Sequence, residues 1–178
     1  MFYKMSNGAA SLKKAPVVVR QGVGRQTVRN FADLDDMDRL IWEKDSRSES
    51  DTEKLGGELA RLLKEGDFIA LYGDLGVGKT AFVRGLCAVF CPGARVCSPT
   101  YTVMRRYDGG ICPFYHFDMY RISSPDDLES VGFYDCDGVI AAEWCENVPF
   151  ALPPRRYEVT IERTGEEKRK IRLVARGF

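Results

Sequence analysis

Phe68-Ile69-Ala70-Leu71-Tyr72-Gly73-Asp74-Leu75-Gly76-Val77-Gly78-Lys79-Thr80 is the stretch on which the fold turns. Its first five residues form an apolar run suited to a parallel strand buried on both faces. The remaining eight are a complete G-x-x-x-x-G-K-[ST] element. Glycines let the backbone curl so that successive N–H groups face a phosphate. The helix that starts behind them adds its positive end. Lys79 has the reach for β- and γ-phosphates, and the Thr80 hydroxyl is a ligand for Mg2+. A glycine-rich turn with no ligand is the plain alternative. The strand before and the helix after are the context that a phosphate-binding loop requires, and they set that alternative aside.

Outward from this core, strands and helices alternate. Leu40-Ile41-Trp42 suggests a short strand, and the Ser/Asp-rich stretch from Asp45 to Asp51 opens a helix. Leu55, Leu59, Leu62 and Leu63 fall on one face of that helix, with Gly66 at its exit. A second helix is expected from Lys79 to about Phe90, ended by Pro92-Gly93. Val96 to Tyr107 reads as extended, with Pro99 in its loop. Phe114 to Phe117 is an aromatic strand, Pro125 to Val131 a short acidic helix, and Val139-Ile140-Ala141-Ala142 a second buried strand. Tyr157–Glu162 and Lys170–Val174 alternate with period two around Thr164-Gly165, the signature of a hairpin. The expected fold is α/β of the P-loop NTPase type: a mainly parallel sheet flanked by helices, with a C-terminal β-hairpin.

The chain has 178 residues, room for one domain with a real core. Its 26 basic and 26 acidic residues balance, which argues against a binder held to nucleic acid by phosphate neutralisation. No apolar run approaches the ~18 residues of a membrane span, and Met1 to Ala10 lacks the apolar core of a secretory signal. Residues 1–30 carry Lys4, Lys13, Lys14, Arg20, Arg25 and Arg29 and no acid. That composition suits a transit peptide, but it shows no amphipathic period and reads instead as a flexible extension. The acidic run Asp33, Asp35, Asp36 and Asp38 reads as a solvated turn. The expected organisation is therefore an extension over 1–38 and one domain over 39–178. Six cysteines without a C-x-x-C, beside one histidine, read as reduced thiols of a cytoplasmic protein.

Two carboxylates stand where phosphoryl chemistry needs them, at the C-terminal ends of expected strands. Asp118 ends the aromatic strand and Glu143 ends Val139–Ala142. The bland readings are that Asp118 caps a turn and Glu143 pairs with an arginine. Ser98-Pro99-Thr100-Tyr101 lies where phosphate-sensing loops often sit, or is a loop stiffened by proline. His116 reads as a packed or supporting residue rather than a base. Arg121 is placed to pair with Asp118 or to face a phosphate, and Trp144 to pack on the sheet end. No Asn-Lys-x-Asp segment of the guanine-reading kind occurs, so ATP is the expected nucleotide.

Gly73 to Thr80, Ser98-Pro99-Thr100-Tyr101-Thr102, His116-Phe117-Asp118-Met119-Tyr120-Arg121 and Glu143-Trp144 stand in an order that resembles the TsaE family, also called YjeE. The resemblance runs from about Ser50 to the terminal hairpin. It departs at Val77, where alanine is usual, and at Ala81, where Thr or Ser is common. The resemblance implies an ATPase, and the lack of an obvious lid over its phosphate loop leads us to expect slow turnover alone and stimulation by a partner that closes over it. With TsaB and TsaD it completes threonylcarbamoyl transfer to tRNA adenosine, meeting tRNA only through that complex. It further implies that Gly73, Asp74, Gly76, Val77, Gly78, Lys79, Thr80 and Ala81 hold ATP, with Ala81 offering its N–H to the α-phosphate. Thr52 is then placed near the base and Thr80 and Glu143 at Mg2+. Asp118 and Glu143 become the catalytic carboxylates, either one a candidate to orient water. Two other classes stay open on the residues alone: a small-molecule kinase, although no lid-sized insertion is present, and a nucleotide-dependent binding module.

Overall fold

At the centre of a seven-stranded sheet lies β2 (Phe68–Tyr72), the apolar run that precedes the glycine-rich loop. The computed structural model describes residues 38–178. The basic stretch and Asp33, Asp35 and Asp36 lie outside the described residues. The other strands are β1 (Arg39–Ser46), β3 (Met104–Tyr107), β4 (Phe114–Asp118), β5 (Val139–Glu143), β6 (Arg156–Arg163) and β7 (Arg169–Arg176). Their spatial order is β1-β7-β6-β2-β5-β4-β3. The inner four, β6, β2, β5 and β4, are mutually parallel, whereas β1, β7 and β3 join antiparallel at the two sides. The sheet is thus mixed, with a parallel core and the expected C-terminal hairpin.

Side-chain alternation splits the core between the two faces of the sheet. Ile69 and Leu71 of β2 join Phe114, Val139 and Val159 beneath α1 (Glu49–Ala60) and α2 (Lys79–Phe90). Phe68 and Ala70 join Phe117, Met119, Leu128 and Phe133 on the opposite face, where the short α3 (Pro125–Ser130) packs. Such two-sided burial is why β2, and β5 up to its terminal Glu143, are apolar.

Local chemistry sets the helix ends. Ser48 caps α1 by accepting from the Asp51 N–H, and Glu49 and Asp51 favour its positive end. Helix α1 stops at Ala60, a turn earlier than its leucines suggest. Leu55 and Leu59 are buried, but Leu62 is 56% exposed. Past Ala60 the chain bends toward β2, where Lys64 N–H donates to Asp67, so Leu62 no longer shares the helix face. Helices α1 and α2 cross backbone to backbone. A Cβ at Gly85 would lie 1.9 Å from the Glu53 carbonyl oxygen, and one at Gly56 would lie 2.2 Å from that of Phe82.

The stretch expected to extend from Val96 to Tyr107 is a strand only from Met104. Before that, the N–H groups of Thr102 and Val103 both donate to the Pro99 carbonyl, and Val103 takes φ 63. This left-handed conformation is rare for a β-branched residue. It holds because the Val103 carbonyl in turn receives Asp118 N–H at 2.8 Å.

Candidate functional site

The loop leaving β2 is shaped by close approach. Gly73 has φ 130, and a Cβ there would meet the Ile161 carbonyl of β6 at 2.3 Å. Gly78, at φ 113, turns the chain directly into α2, so that helix starts with free N–H groups at the loop. From the other side, the β6–β7 hairpin grips the loop. Arg169 Nε donates to the Val77 carbonyl at 2.8 Å and Arg163 Nη2 to the Gly76 carbonyl at 3.3 Å. A peptide is planar and trans, so a carbonyl held outward aims the next N–H the opposite way.

Lys79 opens α2 and is buried, with 4% of its surface exposed. Its ammonium donates to the carbonyls of Gly73 at 2.5 Å and Asp74 at 3.0 Å, and lies 3.6 Å from the centre of the Trp144 ring. Burial pulls its pKa below the usual 10.5, against the opposing pull of Glu143, Glu146, Asp118 and Asp74.

Residue Asp118 ends β4 and Glu143 ends β5, and they are register partners across the parallel pair. Alternation aims both toward the α1/α2 side, where Phe114, Val139 and Ala141 of the same strands are packed. Thr80 Oγ1 donates to Glu143 Oε1 at 2.8 Å, and His116 Nε2 lies 2.8 Å from that same oxygen. Asp118 Oδ1 accepts Tyr120 N–H at 3.0 Å, the turn-capping bond, while Oδ2 accepts Thr100 Oγ1 at 2.8 Å. So Asp118 both caps a turn and ties down the Ser98–Thr102 segment. Glu143 pairs with no arginine among the described residues.

These groups line one cleft of about 540 Å3, between the glycine-rich loop and the starts of α1 and the β7 hairpin. Gly76, Val77, Gly78, Lys79, Thr80, Ala81, Thr100, Asp118, Glu143 and Trp144 all border it. Gly73 and Asp74 contribute from behind, through the carbonyls that hold Lys79. Thr52 also borders it, but its hydroxyl is engaged with Ser46 Oγ at 2.8 Å and the Ser48 carbonyl at 3.3 Å. Its methyl lies 3.9 Å from a Cβ built at Gly78.

Arg121 makes no ion pair with Asp118. Its guanidinium lies over the Tyr101 ring, and Arg106 is bound to Asp108. Trp144 packs edge-on against Tyr120 while holding Lys79 on its face. Glu166, Glu167, Arg169 and Arg84 also line the cleft, and sequence reasoning missed them. Arg169 reaches a carbonyl 92 positions away, a contact that no local pattern announces. The alternation of the hairpin, continued to its turn, was the one available signal.

Among the described residues, no group of three or more His, Cys, Asp or Glu side chains is placed to hold a metal. None of the six cysteines is in a disulfide. No helix there is long and apolar enough to cross a membrane.

Residues 46–171 match the family described as "Threonylcarbamoyl adenosine biosynthesis protein TsaE". The chain belongs to the TsaE family. Named relatives agree. The tRNA threonylcarbamoyladenosine biosynthesis protein TsaE of Bacillus subtilis is 34% identical, over 79% of this chain and 89% of its own length. The proteins of that name from Treponema pallidum and Aquifex aeolicus are 40% and 39% identical, over 86% and 96% of their lengths and 65% and 75% of this chain. The crystal structure of Bacillus subtilis YdiB superposes with a TM-score of 0.66 at 29% identity, covering 78% of this chain and 87% of that one. The family match thus spans every element of the cleft described above.

Proposed function

We propose that this TsaE-family chain is a Mg2+-dependent ATPase, slow on its own, that works with TsaB and TsaD to make N6-threonylcarbamoyladenosine in tRNA. The observation that carries the reading is the convergence of Lys79, the Thr80–Glu143 pair and Asp118, from three separate elements, on one cleft. The residues present suit the ligands. Three glycines leave the loop backbone open, and Lys79 is a buried cation whose hydrogen-bond partners are neutral carbonyls. Mg2+ seldom uses an all-protein cage. It takes one or two carboxylates and completes its shell with water and phosphate oxygens. A hydroxyl and a carboxylate, Thr80 and Glu143, are such a donor set.

In this reading the loop N–H groups and Lys79 bind and orient the phosphates, while Thr80 and Glu143 hold the metal. When bound, Mg2+ neutralises charge on the phosphate oxygens and acts as a Lewis acid. Asp118 is positioned to orient water or a water of the metal. The Thr100–Asp118 bond links the Ser98–Thr102 segment to the Met119–Arg121 turn, which supports a two-part sensor of the terminal phosphate. Tyr101 and Tyr120, both largely exposed, sit on those two segments and suit a partner-facing surface. A partner closing over the cleft would exclude water and strengthen every charge contact in it, so turnover without that partner is slow in this reading.

The test is phosphate release by the purified chain, alone and with TsaB–TsaD, with Lys79→Ala as control. Stimulated release that Lys79→Ala loses, together with its affinity for a labelled ATP analogue, is expected. Phosphorylation of an added metabolite would support a kinase instead. Association with TsaB–TsaD that is identical with ATP analogue, ADP or no nucleotide would refute the sensor.

A further inference from the structure

His116 is the only histidine of the chain and is fully buried. It sits on β4 two positions before Asp118, on the same face, opposite Ala141 of β5. The small Ala141 leaves the ring free to lean along the sheet toward Glu143, bringing Nε2 to 2.8 Å from Oε1. An ionised carboxylate only accepts hydrogen bonds, so Nε2 carries the proton that lies between them. Nδ1 is buried without a hydrogen-bond partner among the described residues. An N–H there would have nothing to donate to, so the lone pair belongs on Nδ1 and the tautomer is set. The Thr80 hydroxyl donates to the same Oε1. Both side-chain bonds to Glu143 therefore fall on one oxygen, and Oε2 keeps its lone pairs.

We propose that His116 is a positioning residue that, through Nε2–H, holds the Glu143 carboxylate in the orientation that receives Mg2+ beside Thr80. This rests on the Mg2+–nucleotide reading given above. Groups that hold a metal ligand from behind fix its direction, and their loss typically weakens metal affinity by about 10- to 100-fold. A histidine present only to fill space would act through its shape. The role assigned here depends on one donor at one position.

Two substitutions separate these roles. The amide nitrogen of glutamine falls near the place of Nε2, whereas that of asparagine ends near Nδ1. In the full-length chain, the affinity for a fluorescent ATP analogue is titrated against Mg2+ for wild type, His116→Gln and His116→Asn, with thermal melting of each without nucleotide. His116→Asn is expected to raise the half-saturating Mg2+ concentration by about 10-fold or more, and His116→Gln to restore it most of the way. A Mg2+-dependent wild type whose two variants shift equally, or not at all, overturns the inference alone. A wild type whose affinity ignores Mg2+ overturns the metal reading and the inference with it. If His116→Asn does not fold, the 15N spectrum of the wild-type ring decides. Protonation at Nε2 with a bare Nδ1, perturbed by Glu143→Gln, is expected, and protonation at Nδ1 alone refutes the role.

Discussion

Replacing Gly85 with alanine tests the contact on which the wall of the cleft depends. Ser48 and Thr52 reach the cleft from α1, and α1 is held against α2 where Gly56 and Gly85 let the backbones touch. The new Cβ at Gly85 would lie 1.9 Å from the Glu53 carbonyl oxygen, against 3.4 Å for ordinary contact. The obstacle is backbone, not the end of a flexible side chain, so the helices must part or tilt. Overpacking of this kind costs about 1–3 kcal/mol, and a main-chain clash belongs at the upper end. Alanine recovers about 1 kcal/mol of helix propensity over glycine. The net is about 2 kcal/mol of destabilisation, a fall of roughly 4–8 °C in Tm for a chain of this size. Gly57 supplies the internal control, because a Cβ there meets the Gly85 carbonyl at a comfortable 3.6 Å. Gly57→Ala should therefore keep the propensity gain and melt at or slightly above wild type. Thermal and urea denaturation of the three proteins decide it. A Gly85→Ala protein as stable as Gly57→Ala would refute the claim that backbone contact fixes the seat of α1.

Three more expectations concern the site and the thiols. Glu143→Ala should lower ATP turnover by at least about 10- to 100-fold, the range for partners one step further from a metal, while costing less in affinity. Parallel losses in turnover and binding would instead assign Glu143 a purely structural part. Lys79 carries its charge below its lowered pKa, so affinity for a phosphate ligand should fall as pH rises, starting below 10.5. A binding curve that stays flat until above that value would contradict the burial argument. In the same window the unfolded chain holds more protons at this lysine, so the contribution of Lys79 to stability rises with pH. Among the cysteines, exposed Cys97 should react first with a thiol reagent, whereas Cys87, its thiol pushed up to about 12 by burial, should react only on unfolding. Equal labelling rates, followed by mass spectrometry, would count against the packing around Cys87.

What could be read in advance followed local physics. Helix α2 spans Lys79–Phe90 as expected, because Gly78 starts it and Pro92-Gly93 ends it. The hairpin was legible from period-two alternation, and the parallel core from apolar runs that need burial on both faces. Asp118 and Glu143 were visible as carboxylates at strand ends. Other features depended on distant partners. β1 extends to Ser46 through the polar Glu43-Lys44-Asp45 because this edge strand takes its hydrogen bonds from β7. The Pro99–Val103 turn is set by bonds to Pro99 and from Asp118, not by propensity. His116 meets Glu143 across 27 positions, and Arg169 meets Val77 across 92, so neither pairing had a local signature.

The place of β2 between β5 and β6 has a consequence for the order in which the chain is made. Its loop is translated well before β6, one of the two strands that hold β2. A nascent chain ending after β5 carries the whole glycine-rich element and both carboxylates. It still lacks the β6 carbonyl that crowds Gly73 and the two arginines that hold Gly76 and Val77. Closing those contacts is a long-range, slow event in folding. A chain stalled on the ribosome before the hairpin therefore displays the glycine-rich motif without the contacts that shape it.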